Sequence, residues 1–227
     1  MEKLITRLKY YGIGFAIGLV FVFIFFQNRG CSWLPSNRVK NTILDKTLVI
    51  SEKEEKIFNE KNISKKQIVS FLEKGTVHFN ESKKEGFLKI YVLSIEKQKL
   101  YFLLPKDSYI AEVQFPSKSI KDTRLTESGF GKALHFPNEK HLLFADSSAF
   151  KTCKEKNIYL NDVGRILDKM KNSGKINFEK SKHYASPKAT INWVFKDNND
   201  SIEVNTYWYK NKINIFSVTG QKFKDCE

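Results

Sequence analysis

The sequence predicts an α+β protein in which an N-terminal transmembrane helix is followed by two duplicated units, each built of helices and an antiparallel meander. Three observations predict it: an uncharged run near the N-terminus, an internal repeat, and alternation of apolar residues in the C-terminal third.

The uncharged run extends from Tyr10 to Asn28 between Lys9 and Arg29 and is almost wholly apolar from Ile13 to Phe26. At ~1.5 Å per residue such a helix just reaches across a ~30 Å hydrocarbon layer. The Phe-rich run and the bulky Trp33 favour a retained anchor over a cleaved signal. Lys3, Arg7 and Lys9 favour a cytoplasmic N-terminus. The expected location is therefore the bacterial inner membrane, single-pass, with the globular region periplasmic. Gly14 and Gly18 form a GxxxG pair, the spacing through which two membrane helices approach and a homodimer could form.

The repeat places residues 48–74 on 143–169 at an offset of 95, with eight of 27 positions identical, including Glu60-Lys61-Asn62-Ile63 on Glu155-Lys156-Asn157-Ile158. Four residues later in the second copy, 75–83 meets 174–182 with four of nine identical. In the first copy Ser64 and Gln67 read as a capping box, Ile68, Phe71 and Leu72 share one helical face, and Gly75 ends the helix. In the second, Asn161 reads as the cap, Val163, Ile166, Leu167 and Met170 keep helical spacing, and Gly174 follows. Strands are expected at 87–95, 100–104 and 109–115. Their counterparts are the alternating sets Ile191, Trp193, Phe195; Ile202, Val204, Thr206, Trp208; and Ile213, Ile215. The chain thus divides into tail and anchor (1–28), a juxtamembrane stalk or helix (29–46), a first unit (47–115), a connecting segment rich in Gly and Pro (116–141), and a second unit (142–227).

Lys and Arg number 39 against 25 acidic residues, a net charge of +14. Setting aside Lys3, Arg7, Lys9 and Glu2 leaves 36 against 24, so +12 belongs to the globular region. A field of that sign attracts anions, although lysines spread along a chain are usually a solvated surface. A basic tract, Lys151, Lys154 and Lys156 with Arg165, Lys169, Lys171 and Lys175, is an anion-contacting candidate.

Cys31, Cys153 and Cys226 form no CxxC pair, and His78, His135, His141 and His183 form neither HExxH nor HxH. No metal site, cofactor or catalytic residue is expected from them, nor from any phosphate loop or nucleophile elbow.

The stretch from Cys31 to Leu44, placed just after a Phe-rich span, resembles the opening of a group of uncharacterised single-span flavobacterial membrane proteins. Asn62 to Val77, where Gly75 ends a helix before a meander, is similar to a bacterial domain of unknown function that has been likened to ribonuclease toxins of the RelE and BrnT kind. The resemblance covers the first 115 residues best. The His-Ala pair that usually opens that domain is missing, since Glu54 to Asn62 holds no histidine, so the resemblance implies a fold and no transferable activity.

The sequence therefore leads to a membrane-anchored, non-catalytic binding or interaction protein whose partners are the bilayer and a protein of the envelope, with nucleic acid not expected. The alternatives are a basic nucleic-acid-binding or ribonuclease-like protein, and an envelope scaffold touching anionic lipid.

Overall fold

The structure, a computed structural model, describes residues 2–27, 34–137, 143–146, 163–184, 188–197, 200–209 and 212–220. These fall into two compact units that divide between Val39 and Lys40.

The first unit holds helix α1, Glu2–Gln27. The expected transmembrane helix is corrected here. α1 takes Arg7 and Lys9 into its own body, so these charges do not flank it. Among the described residues no helix is long and apolar enough to cross a membrane. Helix α2, Pro35–Leu44, follows and lies across the division, with Pro35 at the first helical position, where a missing N–H costs nothing, and Ile43 buried.

The expected α+β fold of two duplicated helix-plus-antiparallel-meander units is also corrected. Eleven described strands form one mixed sheet in the second unit. The first half contributes β1 (Thr47–Ser51), helices α3 (Glu52–Glu60) and α4 (Lys65–Lys74), then β2 (Thr76–Val77), β3 (Leu88–Ile95), β4 (Gln98–Pro105) and β5 (Ile110–Gln114). After β6 (Phe130–His135) the second half runs β7 (Leu143–Asp146), helix α5 (Val163–Asn172), β8 (Lys175–Lys182), β9 (Ala189–Asp197), β10 (Asp200–Tyr209) and β11 (Lys212–Thr219). Their order across the sheet is β2-β3-β4-β5-β1-β6-β8-β9-β10-β11-β7. The first strand of each half returns beside the last and parallel to it, β1 on β5 and β7 on β11. All five residues of β1 are buried, as befits a strand covered on both faces. Such a strand shows no alternation, which is why the meander reading passed over it.

The two halves share detail beyond strand order. Ser82 Oγ donates to the His78 carbonyl at 2.6 Å and accepts the Val92 amide at 3.0 Å. At the corresponding place Ser181 Oγ donates to the Asn177 carbonyl and accepts the Asn192 amide at the same distances. Glu81 pairs with Lys99 on β4, and at the equivalent register Lys180 pairs with Glu203 on β10, both at 2.7 Å, so the charges have changed places.

β6 joins the halves by pairing antiparallel to β1 on one side and to β8 on the other. Gly131 lets this happen: a Cβ there would collide with the Ile50 carbonyl and the Phe178 ring. The main core runs across the join, with Val49, Ile110, Ala133 and Phe136 in one cluster with Trp193, Val204 and Trp208. Phe136 stacks on both tryptophans, at 5.9 and 5.5 Å.

Thr206 anchors that cluster. Fully buried, its hydroxyl accepts the indole N–H of Trp193 at 3.0 Å and of Trp208 at 2.8 Å, and donates to the Ile191 carbonyl at 3.2 Å. Thr206→Val keeps the shape but strips both indoles of their acceptor, and each buried unsatisfied donor costs about 1–3 kcal/mol. Urea unfolding of T206V should show a loss of about 2–5 kcal/mol with an unchanged m-value; a loss below about 0.5 kcal/mol refutes the shared acceptor.

Candidate functional site

Of the residues singled out by sequence, Gly14 and Gly18 lie on α1, where a Cβ would meet nothing within 4 Å. Lys151 and Lys154 lie outside the described residues, as do Asn161, His141 and all three cysteines, and the side chain of Arg165 does too. Lys169 sits near the end of α5, where its carbonyl accepts the amides of Ser173 and Gly174. Among the described residues no group of three or more His, Cys, Asp or Glu side chains is placed to hold a metal ion.

The structure gathers a different basic set. A cavity of 590 Å³ lies where α4, β6 and α5 meet, so both halves of the sheet contribute to it. Its apolar wall is Val69, Leu134 and Phe136, and its polar groups are Lys65, Lys66, Lys171, His135 and a single carboxylate, Glu73. The local chemistry of α4 explains two of these. Ser64 caps the helix through the Gln67 amide while the Gln67 side chain accepts the Ser64 amide at 2.7 Å. With Ile68, Phe71 and Leu72 turned into the core, Lys65 and Lys66 become the first two helical residues and Val69 the next turn of the cavity wall. Cations at the positive end of a helix dipole are disfavoured.

The cations also disfavour one another. Burial pushes the Lys171 amine below the ordinary lysine range, and Lys65 pushes it further. Lys65 is lowered by burial and then by Lys132, although its side chain is exposed at the rim. Lys132 itself pairs with Glu55 at 2.5 Å. Burial lowers His135, the Leu44 carbonyl at 3.2 Å opposes that, and Lys65 adds to the lowering. Because a carbonyl only accepts, Nε2 of His135 carries the proton in the neutral ring and Nδ1 is its acceptor. Lys171 belongs to the basic tract expected from the sequence and His135 to the histidines that form no metal pattern there, whereas Lys65 and Lys66 carry no such expectation. The signal that could have found those two was the capping box itself, which puts two cations on a helix N-terminus.

Two carboxylates organise the far side of the first half. Glu54 accepts the Phe115 amide at 2.7 Å, and Glu112, fully buried on β5, accepts the Gln114 side-chain amide and the Thr126 amide, both at 2.8 Å, together with the Thr126 hydroxyl. Burial raises both above the ordinary carboxylate range. They pin the segment after β5 to the sheet, a structural task.

A second cavity of 430 Å³ opens between that segment and the end of β8. His183 lines it, 5% exposed and held flat against Phe178 at 5.3 Å. Burial pushes its pKa down to about 4. Below pH 6.5 the unfolded chain takes up a proton that the folded chain refuses, so stability falls as pH drops from 6.5 towards 4 and is unaffected above. The loss attributable to this ring is about 3 kcal/mol. His183→Phe keeps the stacking and removes the titration. Denaturation curves from pH 7 to 4 should be flatter for H183F than for the wild type by roughly that amount; equal slopes would mean that the ring is protonated in the folded state.

Comparison of the chain with protein-family models, with curated proteins and with solved structures found no match in any of the three. The reading of function rests on the residues themselves.

Proposed function

We propose that the protein is a non-catalytic binding module that takes a small organic anion with an apolar body into the cavity between α4, β6 and α5. One observation carries this reading: Lys65, Lys171 and His135, all held below their ordinary pKa values, meet in a single cavity walled by Leu134, Phe136 and Val69. Each cation in such a place is disfavoured by burial and by its neighbours. An anion relieves both penalties at once, while the apolar wall holds the rest of the ligand. The cavity volume lies within the ~300–1,000 Å³ range of small-molecule sites. A surplus of surface lysine explains the net charge but not why three lysines converge on an apolar wall.

Titration calorimetry with sodium octanoate, 1-octanol and inorganic phosphate separates the contributions. Octanoate should bind best, octanol should lose the charge and phosphate the wall. K65Q/K171Q should weaken octanoate at least tenfold and leave octanol unchanged. Affinity should rise as pH falls from 7.5 to 5.5, because the bound anion favours protonated His135. Equal binding of octanoate and octanol, or an unaffected double variant, overturns the proposal.

A further inference from the structure

The lysine cavity leaves His183 without a task, and its surroundings are unlike those of a core histidine. Both ring nitrogens are buried, and among the described residues neither has a hydrogen-bond partner. A neutral imidazole presents one N–H and one bare acceptor nitrogen, and leaving each unmet costs about 1–3 kcal/mol. Apolar side chains of similar size fill such a place without that cost, so the sequence keeps a destabilising group here.

The backbone around it is irregular in a way that serves the cavity. Between Asn177 and Lys182 the pairing of β8 with β9 shifts: Asn177 sits opposite Asn192, and Lys182 is already opposite Thr190. The four residues 178–181 thus face Ile191 alone, an extended bulge. Asn177 Oδ1 accepts the amides of Glu179 and Lys180, and Ser181 bonds back to the Asn177 carbonyl and to the Asn192 amide. Bulges re-aim side chains next to binding sites. This one delivers Phe178 and His183 as a stacked pair to one wall, with Leu125 across from the bulged strand and Tyr184 half exposed beside them. The equivalent serine bonds occur at Ser82 in the first half, where the repeat places Lys84 opposite His183. The aromatic, imidazole-bearing wall is therefore special to the second half.

We infer that this cavity is a second ligand site, for a small uncharged aromatic molecule bearing a hydroxyl, with the ring against Phe178, Tyr184 and Leu125 and the hydroxyl donating to the bare nitrogen of His183. Three features set that chemistry. The wall is aromatic and aliphatic, which suits a flat ring. The imidazole is neutral at physiological pH, so it accepts a hydrogen bond and offers no charge to an anion. Glu127, Glu179 and Lys182 at the edge give no excess of positive charge. The site shares no residue with the lysine cavity and stands or falls apart from it.

Phenol and anisole test this on the full chain, because both fill the wall alike and only phenol can donate. Binding is read by titration, and the His183 ring nitrogens by NMR after ring-¹⁵N histidine labelling. Phenol should bind the wild type at least tenfold more tightly than anisole and should shift the bare nitrogen of His183. In H183F the preference should vanish while anisole binding persists. Equal affinity of the wild type for the two ligands, no binding of either, or phenol binding that leaves both His183 nitrogens unshifted overturns the assignment. The NMR reading on the wild type decides the matter even where H183F does not fold.

Discussion

The structure depends on how closely β6 can approach its neighbours at Gly131. Here the Ile50 carbonyl and the Phe178 ring already occupy the place a Cβ would take, so no other side chain fits. β6 pairs with β1 over four residues but with β8 over only two, so the ladder between the halves is short. What makes the join firm is burial. Ala133 and Phe136 carry the apolar face of β6 into the cluster of Trp193 and Trp208, and each buried aromatic contributes about 2–3 kcal/mol from area alone.

Both cavities follow from that join. Leu134, His135 and Phe136 at the end of β6 form the wall to which α4 and α5 bring their lysines, one helix from each half. Phe178, the residue that Gly131 admits, is the one His183 stacks upon in the other cavity. The cavities thus lie where the two halves meet and where they differ. The ion pairs make the same point on the surface. Glu81 with Lys99 and Lys180 with Glu203 hold equivalent positions with reversed sign, so the geometry has been kept while the electrostatics drifted. Such exposed pairs contribute little to stability, which is why their sign was free to change.

Some of this was legible in the sequence and some was not, for identifiable reasons. The alternation through Ile191, Trp193 and Phe195 and through Ile202, Val204, Thr206 and Trp208 marks the buried faces of β9 and β10, because a strand with one wet face advertises its period. The box at Ser64 and Gln67 starts α4 where both of its hydrogen bonds form. β1, β6 and β7 are short and lack that period, and the parallel pairing of β1 with β5 joins residues about 60 positions apart, beyond what local pattern carries. The anchor reading took Lys9 as an outer flank, and the helix runs through it. The site was hidden for a related reason. Lys65, Lys171 and His135 come from three separate elements, and only the packing of α4 and α5 about β6 makes them neighbours.

The claim that β6 and its buried face weld the copies into one sheet is open to a direct measurement, native-state amide hydrogen exchange at increasing urea. Phe102 in β4 and Val204 in β10 lie deep in opposite halves. The account predicts that their amides exchange through one and the same global opening, with a common free energy and a common denaturant slope. Exchange at Val204 through an opening that leaves Phe102 protected would show that the halves unfold separately and would contradict it.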